Sequence, residues 1–391
     1  MQLRTIKELR DLSGKRVLLR VDFNVPLRGK KIVDDYKIRA SLPTIQYLLD
    51  HHAAIIIVSH LGRPKKITPQ LSLRPLARYL EKLVDKKVAF VEAKNLAQVA
   101  SKKLAPGSIT MLENIRFVID EEKNTGALAK ALASLADIFV LDGFAVAHRA
   151  AASVSGVAKF LPSYAGLLVA NEVTNLSRVL RKPARPFVAV IGGAKLETKL
   201  PLIKKLLPIA DAILVGGGVA NTFLLSKGYV LGGSLVASEL KAEAARYASK
   251  RRVILPVDVI VGSARGQGAM AVPVKQLEIH DKNKAIYDVG PATIKLFADY
   301  LKKARTIVWN GAMGFFEQPP FQYGTYAMAE LLARRAAGPA FGVTGGGETV
   351  QVVEQLGLAK HIDWVSTGGG AMLEFLSGEP LPGLLALIKK S

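Results

Sequence analysis

At 391 residues, half of them hydrophobic, the chain exceeds one ordinary core and suits two domains of roughly 150 to 200 residues each. No charge-free apolar run reaches the ~18 residues of a membrane-spanning helix, MQLRTIKELRDLSGKR lacks the features of a signal peptide, and the want of cysteine excludes disulfides, thiol catalysis and cysteine-bound metal. A cytoplasmic address is expected. The net charge of +22 raises nucleic acid as a partner, but the basic residues are spread along the whole sequence, with only short clusters such as Lys65-Lys66 and Lys250-Arg251-Arg252. That distribution speaks against specific nucleic-acid recognition and for a basic surface able to steer small polyanions.

In chain order, apolar β-rich runs occupy residues 16–23, 53–60, 109–114, 137–144, 186–193, 212–218, 252–261, 306–314 and 340–347, with a shorter one before 366–370. Amphipathic helical segments separate them, so the expected class is α/β, with parallel sheets covered on both faces. Residues 72–84 are read as a helix with Ser72 as N-cap. Residues 166–182, ending at Pro183, are read as an interdomain helix. Residues 267–285 read as a hairpin-like excursion.

Polar chemistry gathers where the strands end, as in open α/β sheets that bind ligands outside the carboxyl edge. In the first half, Arg39, Arg63, Arg116 and Arg149 fall at or near strand-to-helix junctions. Arginine suits bidentate capture of phosphate or carboxylate, so their joint placement implies a small, multiply anionic substrate, whereas any one of them could form a structural salt bridge. His60 is either a donor to the same anion or a histidine satisfied at a strand end. Asp22 and Asn24 flank Phe23 and would share one face of the strand end while Phe23 packs the other way. They could hold substrate hydroxyls or cap the following turn.

In the second half the strands end in glycine clusters: Gly192-Gly193, Gly216 to Gly218, Asn310-Gly311, Gly345 to Gly347 followed by Glu348 and Thr349, and Gly368 to Gly370. Glycine lets backbone approach a ligand closely, and the N–H groups opening the next helix bind anions. Tight turns would explain any single cluster. Lys195 and Lys199 stand four apart on the helix after VIGG; like charges there repel, which suggests an anion between them, the plainer alternative being two solvated lysines. The Walker pattern and an early GxGxxG are both absent, as are a nucleophile elbow and HExxH. A reaction without a protein nucleophile fits, and phosphoryl transfer is one.

The motifs RVDFNVP, DDYKIRASLPTI, SHLGRPK, LENIRF, AHRAAAS, RPFVAVIGGAKLETK, DVGPATIKLF, VWNGAMGFFE, GGGET and STGGGAMLEFL run end to end and resemble, in order, those of the phosphoglycerate kinase family. That family moves a phosphoryl group between 1,3-bisphosphoglycerate and ADP, giving 3-phosphoglycerate and ATP. The resemblance implies two Rossmann-like three-layer domains joined by a hinge helix across a deep cleft. Residues 1–169 with a returning 377–391 tail would bind 3-phosphoglycerate, and 170–376 the nucleotide. Asp22, Phe23, Asn24, Arg39, His60, Leu61, Gly62, Arg63, Arg116 and Arg149 would form the substrate site, with Arg39 bridging the acyl-phosphate oxygens. Lys195 would neutralise the group in flight and Lys199 would bind nucleotide phosphates. Gly216, Gly217 and Gly218 would line the adenine pocket and Glu317 would contact the ribose. Asn310, Gly345, Gly346, Gly347, Glu348 and Thr349 would complete the nucleotide site, with Gly346 and Gly369 aiming N–H groups at the transferred phosphoryl. Magnesium, a monomeric state and hinge bending are implied with them.

Three departures from the family pattern matter. Glu348 stands where an aspartate is expected to hold magnesium, and one extra methylene shifts a carboxylate by roughly a bond length at a metal that tolerates little error. Ala145 and Val146 replace a glycine and a threonine, and Ala312 replaces a proline. The alternative reading is a decayed kinase scaffold that binds nucleic acid.

Overall fold

A computed structural model describes residues 2–29, 31–92 and 104–389. By its internal contacts the chain divides into two units, Met1–Thr174 with Pro380–Ser391, and Asn175–Glu379. The range 1–169 expected for the first domain contains residue 30 and residues 93–103, which lie outside the described residues.

The first unit is built on a six-stranded parallel sheet, ordered in space Val88–Val91, Ile109–Leu112, Ala54–Val58, Arg16–Arg20, Ile138–Leu141 and Ser163–Ala165. Every residue of Ala54–Val58 is buried, as a strand covered on both faces requires. Each of its isoleucines contributes roughly 1.5–3 kcal/mol by leaving water. Central Arg16–Arg20 pairs with Ala54–Val58 on one side and Ile138–Leu141 on the other, so the ends of these three strands carry their following loops to one edge. The chain's end returns here: Leu3 bridges Ile388, and Arg4 N donates to Leu387 O at 2.8 Å.

The second unit repeats the plan, with strands Val253–Ile254, Ala212–Val215, Phe187–Ile191, Thr306–Asn310, Phe341–Gly345 and Trp364–Ser366 in one parallel sheet. Residues 252–261, expected as a single strand, are split at Pro256. Val253–Ile254 stays in the parallel sheet, while Asp258–Gly262 leaves it to pair antiparallel with both Met270–Pro273 and Ala285–Val289. Proline has no N–H to give a ladder, so the sheet ends there. The expected excursion is thus two edges of a three-stranded antiparallel sheet.

Two strands of the parallel sheets escaped the sequence reading, Val88–Val91 and Ser163–Ala165. Both are edge strands too short to show periodicity. The helix expected from Ser72 runs Arg74–Val84 with Leu73 as N-cap, and Ser72 Oγ accepts from Arg74 N at 3.2 Å. The helix expected over 166–182 is Leu167–Arg181. Its first turn is capped from two directions: Thr44 Oγ1 accepts from Leu167 N at 2.9 Å, and Asp142 Oδ1 accepts from Leu168 N at 3.0 Å.

Candidate active site

At the edge of the first sheet, the backbone after Arg20 leaves strand geometry and delivers Asp22, Phe23 and Asn24. Phe23 is fully buried and its N–H donates to Ser59 Oγ at 2.9 Å. Asp22 faces a ring of cations. Its Oδ2 accepts from Lys37 Nζ at 2.7 Å, its Oδ1 accepts from Asn24 N at 3.0 Å, and His60 Nδ1 lies 3.7 Å from Oδ1. Burial alone would raise this carboxyl, but Lys37 and then His60 outweigh it and hold it at about 2. Asn24 Oδ1 accepts from Gly62 N at 2.9 Å, and Arg116 Nη1 donates to Gly62 O at 2.5 Å, so the loop carrying Leu61, Gly62 and Arg63 is latched from both sides. Leu61 itself is buried in the core and contributes scaffold.

Charge is concentrated here beyond what exposed side chains tolerate. Burial, then Arg149, lowers the Arg116 guanidinium against the pull of Glu122, which lies 3.4 Å from its Nε, and Arg20 and Arg63 lower it further. Burial holds the His60 imidazole well below its ordinary value, with Asp22 opposing and Arg20, Arg116 and Lys37 assisting. Like charges packed against one another are a cost in a free protein, and an anion bound among them removes it.

Arg39 is not in this ring. On the helix Tyr36–Asp50 its side chain is 56% exposed, pairs with Asp35 through Nε to Oδ2 at 2.6 Å, and donates to Tyr79 at 3.5 Å. Residues two positions apart on a helix are separated by about 200°, so Lys37 and Arg39 cannot both face the sheet edge. Lys37 lies on the inward stripe with Ser41, Thr44 and Leu48, whereas Arg39 lies on the exposed stripe with Pro43, Gln46 and Asp50. Lys37, and not Arg39, is therefore the residue of this helix that meets the Asp22 carboxylate at the sheet edge.

In the second unit, the strand ends Ile191, Asn310 and Gly345 and the loop before Gly370 open into a cleft of about 370 Å³. It is lined by Lys195, Lys199, Asn310, Gly346, Gly347, Glu348, Gly369 and Gly370, among others. The helices Leu196–Leu206, Gly347–Gln355 and Gly370–Ser377 all begin on it, with Lys195, Gly346 and Gly369 as their N-caps. Gly346 (φ +110°) and Gly369 (φ +48°) hold backbone that side-chain-bearing residues rarely adopt. Three helix N-termini on one cleft make a strong anion site.

Lys199 Nζ donates to Asn310 Oδ1, and Asn310 Nδ2 donates to Gly345 O at 2.5 Å, so the buried amide aims the ammonium. Burial lowers that ammonium to about 8 against the pull of Glu348. Glu348 Oε2 accepts from Ala312 N at 3.1 Å. Thr349 does not offer its side chain to a ligand: it is fully buried and its hydroxyl donates to Gly345 O at 2.8 Å. A neighbouring cavity of about 410 Å³ is lined by Gly217, Gly218, Asn221, Leu235, Tyr287, Phe315 and Glu317 among others. Gly216 is not part of that lining; a Cβ there would meet Met313 Sδ at 2.6 Å. Among the described residues, no three acids or histidines gather as a metal-binding group.

A phosphoglycerate kinase family model matches residues 6–379. The chain is 46% identical to the phosphoglycerate kinase of Moorella thermoacetica and 47% identical to that of Chloroflexus aurantiacus, in each case over 99% of both proteins. The chain belongs to the phosphoglycerate kinase family. Its fold is similar to the phosphoglycerate kinase structure from Coxiella burnetii (TM-score 0.86, 40% identity, 99% of each chain) and to that from Pyrococcus horikoshii (0.84, 33%, 98% of each). It is a phosphotransferase with ATP and ADP as substrates, and the reading as a decayed nucleic-acid binder gains no support. No helix among the described residues is long and apolar enough to cross a membrane.

Measured against this phosphoglycerate kinase assignment, the sequence reading missed four site neighbours: Arg20, Lys37, Glu121 and Ser153. Arg20 had a visible signal, a cation inside the apolar run RVLLRVDF, where burial demands a partner. Lys37 could have been found from the helical stripe it shares with Ser41 and Thr44. Glu121 and Ser153 lie in the family-like stretches EEKN and AHRAAAS, but 32 residues separate them and nothing local shows that they meet.

Proposed function

We propose that the cation ring of the first unit seats 3-phosphoglycerate or 1,3-bisphosphoglycerate, and that the glycine-lined cleft of the second seats the nucleotide phosphates. One observation carries the reading: Lys199, aimed by Asn310, stands in a cleft on which three helices begin. The base lies in the adjoining cavity, with Glu317 toward the ribose. Arg20, Lys37, Arg63, Arg116 and Arg149 provide charge for the phosphate and carboxylate of the smaller substrate, and His60 adds a neutral imidazole to the same ring. Lys37 is its adaptable cation, neutralised by Asp22 until an anion competes for it.

The attacking group is a carboxylate, ionised at neutral pH, so no protein base has a proton to remove. Catalysis then consists of positioning and of matching charge as it spreads over the transferred phosphoryl. Lys195 and the N–H groups opening at Gly346 and Gly369 serve the phosphoryl side. A lone carboxylate at a helix start fits magnesium, which keeps waters and takes substrate phosphates together with one or two protein carboxylates. Glu348 would hold it, and the ion would screen phosphate charge. In-line transfer needs donor and acceptor in near-attack contact. The proposed hinge is the helix Leu167–Arg181, whose residues belong to the first unit up to Thr174 and to the second from Asn175. On the family resemblance we read the enzyme as a cytoplasmic monomer serving glycolysis and gluconeogenesis.

A coupled assay with 3-phosphoglycerate, ATP and magnesium tests the assignment. ADP formation dependent on 3-phosphoglycerate is expected, with a loss on the order of 10²-fold or more in Lys199→Met. Turnover independent of 3-phosphoglycerate, or full activity in Lys199→Met, would overturn it.

A further inference from the structure

Buried behind the cation ring, Glu121 and Ser153 begin a polar chain that runs to Arg20 and His60 of the ring. Glu121 sits in the short helix Asp120–Lys123 and Ser153 in the turn Ala152–Gly156, and both are buried. Glu121 Oε2 accepts from Ser153 N at 2.9 Å and its Oε1 accepts from Ser153 Oγ at 2.6 Å. That hydroxyl, its proton committed to Glu121, accepts from Arg20 Nε at 2.8 Å. Arg20 Nη1 donates to Val21 O, which leaves Nη2 against His60 Nδ1 at 3.4 Å.

A guanidinium has donors and no acceptor. A hydrogen bond between Arg20 Nη2 and His60 Nδ1 therefore requires Nδ1 to be the acceptor, so the ring proton must sit on Nε2. Asp22 Oδ1, at 3.7 Å from Nδ1, is beyond hydrogen-bond distance and does not compete for the opposite tautomer. The other charges around the ring, Arg20, Arg116 and Lys37, all disfavour a second proton.

We propose that Glu121 and Ser153 are positioning residues for the transfer reaction: they fix the Arg20 guanidinium so that it holds His60 neutral and protonated on Nε2 for the 3-phosphoglycerate site. The inference rests on the reading of the cation ring as that site, but its first test is made without substrate.

The test is long-range proton–nitrogen NMR on the full chain labelled at histidine nitrogen, with His60 assigned by its loss in His60→Asn. His60 should be a neutral Nε2–H imidazole at neutral pH. In Ser153→Ala and in Glu121→Gln the signals should move toward mixed tautomers. The KM for 3-phosphoglycerate should rise about tenfold, that for ATP should hold, and Ser153→Thr should restore part of the loss. An Nδ1–H tautomer, or an ordinary titration of His60 in the wild type, would overturn the proposal. So would variants in which His60 is unchanged, or in which both KM values rise together as the fold loosens. If Ser153→Ala does not fold, Glu121→Gln and the wild-type spectrum decide. The free-enzyme tautomer succeeds or fails independently of where 3-phosphoglycerate binds; titration of Arg149→Ala with that substrate tests the site itself.

Discussion

Lys37 Nζ meets Asp22 Oδ2 at 2.7 Å, a cation from the helix Tyr36–Asp50 closing on a carboxylate just beyond the central strand. Asp22 is buried and Lys37 is 29% exposed, so the pair is firm on the acid's side and adaptable on the cation's. This ion pair, and not Arg39, stands at the place proposed to meet substrate charge.

Lys37→Ala should accordingly lower kcat/KM for 3-phosphoglycerate on the order of 10²–10³-fold, whereas Arg39→Ala should change it less than about twofold, its exposed pair with Asp35 being worth little. Steady-state kinetics on the two variants decide between them, and the reverse ranking would return the role to Arg39. Removing Lys37 also strands a buried carboxylate, which costs about 3–5 kcal/mol when nothing replaces the partner. Asp22→Asn in the same background should recover stability without recovering turnover.

Lys199 yields a proton-linked prediction. Burial brings its ammonium to about 8 in the free enzyme, and phosphate in the cleft restores the charged form. ADP binding at pH 8 should therefore take up as much as about half a proton, falling toward zero near pH 6. Calorimetry in two buffers of different ionisation enthalpy measures it. In Glu348→Gln, the carboxylate that supports the ammonium is lost, so the uptake window should move to lower pH. Proton release at pH 8, or the same uptake in Lys199→Met, would contradict the assignment.

The two-unit plan of parallel sheets was readable because buried parallel strands are long apolar runs, and the contrast between charged strand ends in one half and glycine-rich ends in the other lies in the same sequence. The lysine at 199 and the glycine-led helix starts at 347 and 370 were each readable from local spacing, but it is the order of the parallel sheet that brings them to one cleft. What spacing does not give is the facing of a side chain. Arg39 and Lys37 differ by two positions, and only the stripe of buried residues on their helix tells which one turns inward. Thr349 is polar and follows glycines, as a phosphate ligand would, yet its hydroxyl is used within its own turn. The split at Pro256 was legible in principle, since proline cannot continue a ladder, but the apolar run across it hid the break.

Gly369 separates backbone strain from crowding. At φ +48° and ψ −107° it caps the helix Gly370–Ser377, and a Cβ added there would touch nothing within 4 Å. Gly369→Ala should thus cost about 1–3 kcal/mol purely through backbone strain, seen as a Tm lowered by roughly 2–10 °C, and should depress kcat more than the KM for 3-phosphoglycerate. Gly347 also has open space but no positive φ. Gly347→Ala should therefore leave the Tm within about 1–2 °C of wild type. Equal destabilisation by both would mean that crowding in the occupied cleft, and not backbone conformation, selects glycine.

Asp142 predicts a pH dependence of stability opposite in sign to that of Asp22. Its Oδ1 caps the helix Leu167–Arg181, and its Oδ2 is buried with no hydrogen-bond partner within geometric reach among the described residues. Burial raises the carboxyl to about 8, against the hydrogen bonds of Thr44, Leu168 and Val169. Between the unfolded value near 3.8 and this folded value the native state holds the proton that the unfolded chain has lost, so stability is greatest below the window and falls as pH rises through it. Asp22, held at about 2, contributes stability above 3.8 that is lost only as pH falls toward 2, so the two windows do not overlap. Asp288, raised by burial to about 7, adds a slope of the same sign as Asp142 in the second unit. Asp142→Asn keeps an oxygen for Leu168 and has no charge to bury. Relative to wild type its Tm should rise between pH 5 and pH 8.5, with a gain on the order of a few kcal/mol at the upper end. Thermal melts of both proteins across that range check the sign. A Tm difference that stays constant, or one that moves against the variant as pH rises, would show that Asp142 is already ionised in the folded chain.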